Sequence, residues 1–147
     1  MALEFVLDPP LTDELREDIV QLWADVTNAG GAVGFVAPVT VDLVRPVAEA
    51  AFAGVASGVD RLIAGWDDGL LVALLIIVDN RFTLKAHWRV LKRVMVLPGA
   101  QGRGYGAALM REAEAVGRAL GLEALQVTVR DGQGLDGFYR KLGYREV

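Results

Sequence analysis

The sequence predicts an α/β (α+β) fold, in which a mixed central sheet is flanked by helices. Three observations support this prediction. The segment from Leu70 to Val78 is continuously apolar, as expected for a buried central strand. Apolar residues recur at helical spacing after Thr12, and again after the glycines near Gly104. No repeat, low-complexity tract or linker divides the 147 residues, so a single domain spanning residues 1–147 is expected.

The first part of the chain is expected to form one strand and two helices, at Leu3 to Leu7, Thr12 to Asn28, and Thr40 or Asp42 to about Ala56. Pro9 and Pro10 end the strand, because proline has no N–H to donate to a strand ladder. Gly30-Gly31 stops the first helix. Pro46 either lies in the first turn of the second helix or kinks it.

The rest of the chain is expected to add five strands and two helices. The strands are Arg61 to Gly65, Leu70 to Val78, Trp88 to Leu97, Leu125 to Arg130 and the beginning of one at Tyr144 to Val147, and the helices end near Leu120 and Leu142. Trp66-Asp67-Asp68-Gly69 separates the first two of these strands. This segment has a hairpin pattern, with Asp-Gly at its turn.

The composition argues against several classes of protein and site. The chain has no cysteine, which excludes a disulfide framework, a zinc–thiolate site and a cysteine nucleophile. A net charge of −4 without a basic run argues against nucleic acid as a partner. The longest apolar run is about half of what spans a bilayer, and the N-terminus does not resemble a signal peptide. We therefore expect a cytoplasmic protein without membrane association, in which the 53% apolar content leaves room for a homodimer interface.

The segment from Val94 to Leu120 joins a short apolar strand to an amphipathic helix through a glycine-rich turn. This order directs backbone N–H groups and the positive end of a helix dipole at one point, where a pyrophosphate can bind without a cationic side chain. Gly102, Gly104 and Gly106 permit positive φ and a close approach to a ligand. The alternative is an ordinary turn with a helix cap. The segment has neither the Lys-Ser/Thr of a Walker loop nor the early position of a Rossmann fingerprint.

Two motifs identify a resemblance to a known family. Gln101-Gly102-Arg103-Gly104-Tyr105-Gly106 fits Q/R-x-x-G-x-G/A and follows the V-x-V-x-P pattern of Val94, Val96 and Pro98. This resembles the coenzyme A loop of the GNAT superfamily of acetyl-CoA-dependent N-acetyltransferases. About thirty residues later, Gly137 to Tyr144 resembles the family signature F/L-Y-x-K-L-G-F/Y. The likeness extends more weakly over the whole chain, towards the bacterial branch that includes the tabtoxin-resistance acetyltransferase.

The resemblance implies the GNAT acyl-CoA N-acyltransferase fold, with acetyl-CoA as co-substrate and no metal. The loop residues that it assigns to the coenzyme are Gln101, Gly102, Arg103, Gly104, Tyr105, Gly106 and Ala107. It also implies that Val94, Met95 and Val96 bond the pantetheine through their backbone, with a main-chain N–H near Val96 as the oxyanion donor. The alternative is that these three are ordinary residues of a buried strand. The family continues beyond the last strand, whereas this sequence stops at Val147, so the C-terminal strands are expected to be short or absent. Either the tail is disordered or not included, or a partner chain completes the sheet.

The resemblance places Tyr139 at the position whose phenol points at the coenzyme sulfur in many members of the family. A phenol with a pKa near 10 can protonate a departing thiolate with a pKa of about 8.5 to 10. Tyr139 is therefore the expected general acid. The alternative is a core tyrosine that seals the helix against the sheet.

The general base and the acceptor are less defined by the sequence. The expected fourth strand carries no carboxylate, which leaves Asp79, His87 and Asp131 as candidate bases. The segment from Gly30 to Phe35 suits a lid over a small-molecule amine, with Phe35 and His87 as candidate acceptor contacts. The alternatives are a flexible connector for this segment and a surface or packing role for His87. We expect direct attack by a primary amine. The alternatives are a non-catalytic acyl-CoA-binding sensor of the same fold and a purely structural or oligomer-forming domain.

Overall fold

A computed structural model describes residues 3–31, 33–79, 88–100, 102–127 and 135–144. The strands in this part of the chain are β1 (Leu3–Leu7), β2 (Arg61–Asp67), β3 (Leu70–Asp79), β4 (Trp88–Val96) and β5 (Ala124–Val127). The helices are α1 (Asp13–Asn28), α2 (Val41–Ala56), α3 (Tyr105–Ala119) and α4 (Leu135–Lys141). The predicted fold class is confirmed, because these elements form one mixed sheet with helices on both faces.

The strand order in the sheet is β1-β2-β3-β4-β5. The first three pairs are antiparallel, and β4 pairs with β5 in parallel. The turn between β2 and β3 consists of Asp68 and Gly69, with φ of 50° and 83°. A two-residue hairpin turn of this type needs positive φ at both positions, which Asp-Gly tolerates well. The predicted turn was too long by two residues, because Trp66 and Asp67 belong to β2.

A threonine side chain caps the N-terminus of each of the first two helices. Thr12 Oγ1 accepts a hydrogen bond from the Leu15 N–H at 3.1 Å, and Thr40 Oγ1 accepts one from the Leu43 N–H at 3.3 Å. These caps satisfy N–H groups that have no partner within the helix. Pro46 lies in the second turn of α2 and not in the first. Its missing N–H removes the hydrogen bond that the Asp42 carbonyl would otherwise accept.

Two hydrophobic cores lie on opposite faces of the sheet. The first core is covered by α1 and α2 and contains Trp23 and Leu74, while the second is covered by α3 and contains Leu75 and Leu109. From Ala73 to Ile77, adjacent residues of β3 therefore project into different cores. A strand that is buried on both faces needs apolar residues at every position, which explains the continuous apolar run.

A bulge interrupts β4 opposite Leu75. Ile76 pairs with Lys92 and Leu74 pairs with Met95, so two residues of β4, Arg93 and Val94, face one residue of β3. Arg93 has a φ of 56°, in a region that non-glycine residues seldom occupy. The sequence analysis treated β4 as a regular strand. The two adjacent polar residues Lys92 and Arg93, between apolar neighbours, are the signal that could have indicated the bulge.

The C-terminal prediction is only partly tested. Tyr144 is not in a strand, and residues 145–147 lie outside the described residues, as do residues 128–130 at the end of the predicted fifth strand. Among the helices in the described part of the chain, none is long and apolar enough to cross a membrane.

Candidate active site

The glycine turn before α3 leaves space for a ligand. Gly102 and Gly104 have φ of 87° and 80°, and a Cβ added at either position would meet nothing within 4 Å. Gly104 is the N-cap of α3, and no side chain of the described residues caps this end. The first turn of α3 also lacks acidic residues, whereas the first turns of α1 and α2 contain them. The N–H groups and the positive dipole end of α3 are therefore open to an anion.

Gly106 serves a different purpose from the two glycines before it. A Cβ on Gly106 would lie 3.3 Å from Phe138 Cζ and 3.7 Å from Val96 Cγ2. Its hydrogen atom thus allows the first turn of α3 to approach both α4 and β4. Ala107 follows it and is half-buried. Gln101, the first residue of the predicted motif, lies outside the described residues.

Tyr105 fixes the beginning of α3 to β2. Its ring is 2% exposed, and its hydroxyl donates a hydrogen bond to Asp67 Oδ2. This bond raises the pKa of Tyr105, against a smaller opposing effect of Arg103, which is exposed. The Tyr105 side chain therefore has a structural role, and only the Tyr105 backbone is placed to contact a ligand.

The predicted backbone site on β4 follows the β4 residues that pair with the described part of β5. β5 pairs with the β4 residues from Trp88 to Leu91. Val94, Met95 and Val96 follow, and no other strand of the described residues lies beside them on that side. Met95 is buried in the first core, while Val94 and Val96 pack against the second.

Tyr139 lies in the second core and is 9% exposed. Its ring contacts Phe138 and Tyr144 edge-to-face, with centroid separations of 5.1 and 5.8 Å. Burial raises the pKa of Tyr139, so its phenol is held in the protonated form. The described residues form no hydrogen bond with its hydroxyl. These features fit both the predicted acid and the alternative core tyrosine.

Tyr144 lies beside Tyr139, and its buried hydroxyl has no hydrogen-bond partner among the described residues. Burial, followed by the charges of Glu114 and Tyr139, raises its pKa to about 12. Neither side chain is close enough to satisfy the hydroxyl. Tyr144 packs against the second core.

The segment between α1 and α2 is anchored to β4 through one carbonyl group. The Val33 carbonyl accepts hydrogen bonds from Trp23 Nε1 at 2.9 Å and from Arg93 Nη1 at 3.0 Å. The Arg93 guanidinium also lies 5.1 Å from the Trp23 ring centroid. At Gly34, an added Cβ would lie 2.3 Å from Arg93 Nη1, so glycine is required for this contact.

Phe35, a predicted acceptor contact, is half-buried and packs edge-to-face on Trp23 at a centroid distance of 6.4 Å. His87 and Asp131 lie outside the described residues. Asp79 is described, and its Oδ1 lies 3.6 Å from Arg89 Nη1. Its carboxylate is therefore already engaged by a cation. Sequence reasoning did not find Arg93, because its contacts with Trp23 and Val33 join residues that are distant along the chain.

The sequence pattern of the Acetyltransferase (GNAT) family matches residues 42–144. Similar solved structures include an N-acetyltransferase from Staphylococcus aureus Mu50, with a TM-score of 0.79 and 12% identity over 100% of this chain and 86% of that chain. A GCN5-related N-acetyltransferase from Ralstonia eutropha JMP134 has a TM-score of 0.73 and 17% identity, covering 99% and 94% of the two chains. An aminoglycoside acetyltransferase from an uncultured soil metagenomic sample has a TM-score of 0.72 and 18% identity, covering 100% and 94%.

At these identities the solved structures show a shared fold. The family pattern spans the sheet from β2 to β5, the glycine turn with α3, and α4, which carries Tyr139. The chain belongs to the GNAT acetyltransferase family.

Proposed function

We propose that this chain transfers the acetyl group of acetyl-CoA to a primary amine of a small molecule, by direct attack of the amine. Membership of the family indicates acetyl transfer in general. The observation that carries the proposal is the N-terminus of α3 behind Gly102 and Gly104, which no side chain of the described residues caps and whose first turn holds no acidic residue. This is the environment that a pyrophosphate requires.

The coenzyme would extend from this turn along β4. Backbone N–H groups from Gln101 to Ala107 would hold the pyrophosphate, and the pantetheine would pair with the backbone from Val94 to Val96 as an added strand. The bulge at Arg93 supports this arrangement, since it interrupts the regular pairing of this part of β4 with β3.

The reaction proceeds through a tetrahedral intermediate. The neutral amine nitrogen forms a bond to the thioester carbonyl carbon, and the oxyanion accepts a hydrogen bond from a backbone N–H near Val96. The carbon–sulfur bond then breaks, and Tyr139 donates its proton to the departing thiolate. The proton lost by the amine passes to solvent or to a base outside the described residues. Tyr139 is protonated at neutral pH, as a general acid must be, while the pKa that burial raises makes it a weaker proton donor to the thiolate.

The acceptor would approach from the face of the sheet covered by α1 and α2. Phe35 is held there by Trp23, close in the chain to Gly34 and its contact with Arg93. We propose Phe35 as an apolar wall of the acceptor site. His87 is retained as a proposed acceptor contact on the basis of the sequence alone.

A non-catalytic acyl-CoA-binding sensor is the second candidate. It is favoured by the lack of a carboxylate on β4, and by the Arg89 contact that engages Asp79. Both candidates require coenzyme binding, and they differ only in turnover.

The test combines calorimetry of coenzyme A binding with a panel of amines, in which acetyl-CoA consumption is followed as free thiol. Binding with amine-dependent thiol release supports the acetyltransferase. Binding with no release above the hydrolysis rate for any amine supports the sensor. A folded protein that binds no coenzyme A would overturn both.

A further inference from the structure

Two adjacent cations lie at the β4 bulge on the face that α1 and α2 cover. Lys92 pairs with Ile76, and opposite residues of antiparallel strands project from the same face. Ile76 belongs to the first core, so Lys92 projects from that face, and its side chain is exposed. Arg93 reaches the same face, where its guanidinium lies over Trp23. The acceptor face of β4 therefore carries positive charge.

Arg93 is half-buried without an anionic partner among the described residues. Its guanidinium donates from Nη1 to the Val33 carbonyl, which accounts for one of its five N–H groups. Burial lowers the pKa of Arg93, and no carboxylate of the described residues offsets this effect. Half-buried charges are normally paired. The site is thus suited to an anion that arrives with a ligand.

The coenzyme does not account for these charges. Its proposed phosphate site is the N-terminus of α3, which packs on the second core. Lys92 and Arg93 project on the side of the first core. The two positive side chains are therefore on the acceptor side of the reacting backbone.

We propose that Lys92 and Arg93 bind the carboxylate of the acceptor, which is an amino acid or another small amine that carries a carboxylate. This inference rests on the proposed function. A guanidinium binds a carboxylate through paired N–H groups, and the ammonium of Lys92 adds a second positive charge. Held at the bulge, the carboxylate would place a nearby amine beside the backbone from Val94 to Val96. The same charges disfavour polycationic amines.

The experiment compares L-amino acids with their α-amides, and both with spermidine as a polycation. Thiol release from acetyl-CoA gives kcat/KM, and calorimetry with coenzyme A present gives the Kd of each amine. We expect kcat/KM to be at least about tenfold higher for the acids than for the amides, which corresponds to one lost charge-assisted hydrogen bond.

Substitutions of Lys92 and Arg93 test whether this difference in kcat/KM between acids and amides arises at the proposed site. Lys92→Gln should raise KM for the acids by about three- to fivefold, as expected for an exposed charge. Arg93→Gln should raise it by about tenfold or more, with partial recovery in Arg93→Lys. The Kd of coenzyme A should stay unchanged in Lys92→Gln. Arg118→Gln is the control, because it removes an exposed positive charge from α3, on the opposite face of the sheet.

The outcomes separate this inference from the proposed function. Equal kcat/KM for acids and amides, a preference for spermidine, or weaker coenzyme A binding in Lys92→Gln would each overturn the carboxylate site and leave acetyl transfer standing. Binding of the acids that depends on Lys92 and Arg93, without turnover of any amine, would support the carboxylate site and overturn the proposed reaction. Because Lys92 is exposed, its variant remains informative even if Arg93→Gln fails to fold.

Discussion

Replacing Gly104 by valine tests the coenzyme site at a position where backbone conformation and ligand space coincide. Gly104 has a φ of 80°, and an added side chain would point into the open space at the N-terminus of α3. A valine there would resist the left-handed conformation and occupy the volume proposed for the pyrophosphate. We expect Gly104→Val to lose measurable coenzyme binding.

The size of the loss follows from the backbone donors. A hydrogen bond to a charged group contributes about 1.5–3 kcal/mol. Displacing the phosphate from two N–H groups would cost about 3–6 kcal/mol, or about two to four orders of magnitude in Kd. Isothermal calorimetry with coenzyme A measures this change.

Gly121 provides a matched control, because it lies just beyond the other end of α3. Its φ is 74°, and a Cβ there would also meet nothing within 4 Å. Gly121→Val carries a similar conformational cost without blocking the proposed site, so it should destabilise the fold comparably and leave the Kd near the wild-type value. A folded Gly104→Val protein with a Kd within threefold of wild type would refute the assignment of this turn.

Four further substitutions test individual side chains. Arg103→Ala should weaken coenzyme A binding less than Gly104→Val in the same calorimetric assay. An equal loss would show that the Arg103 side chain, and not the backbone of the turn, provides most of the affinity. Tyr139→Phe should lower kcat by about ten- to ten-thousandfold in steady-state assays, since the acid acts on the departing thiolate. The Kd of the coenzyme should stay within about threefold of wild type. A normal kcat at saturating acetyl-CoA would show that Tyr139 has only a packing role. Tyr144→Phe should raise the free energy of unfolding in urea by about 1 kcal/mol or more, because it removes a buried hydroxyl without a described partner; a loss of stability would reveal a bond from that hydroxyl. Tyr105→Phe should lower the same free energy by about 1–3 kcal/mol, because it leaves Asp67 without this donor, and unchanged stability would contradict the anchoring of α3.

The sequence was informative where one local cause determines the structure. Thr12 and Thr40 were recognised at the helix starts because a hydroxyl three residues before an N–H can cap it. Asp68 and Gly69 indicated a hairpin because both tolerate positive φ. The prediction extended the turn to Trp66 because the last pairs of a ladder depend on the partner strand.

Properties that depend on distant partners were not predicted. Gly104 and Gly106 look equivalent in the motif, yet one needs positive φ and the other makes room for Phe138. Arg93 was missed for the same reason, since its acceptor, Val33, is 60 residues away in the chain. Motifs indicated the turn proposed for the coenzyme, while the proposed acceptor side of the site required the tertiary structure.

The burial of β3 on both faces affects how its pairing register with the neighbouring strands is determined. In a strand with one polar face, sliding by one residue exposes the apolar side chains and is strongly disfavoured. Leu71 to Ile77 would remain apolar on both faces after such a slide, so hydrophobicity alone barely distinguishes correct from shifted pairing. The Asp68-Gly69 turn and the irregularities in the β2–β3 and β3–β4 pairing supply that discrimination. One residue inserted into this turn would therefore let β3 shift its pairing with β2 while both faces of β3 stay apolar.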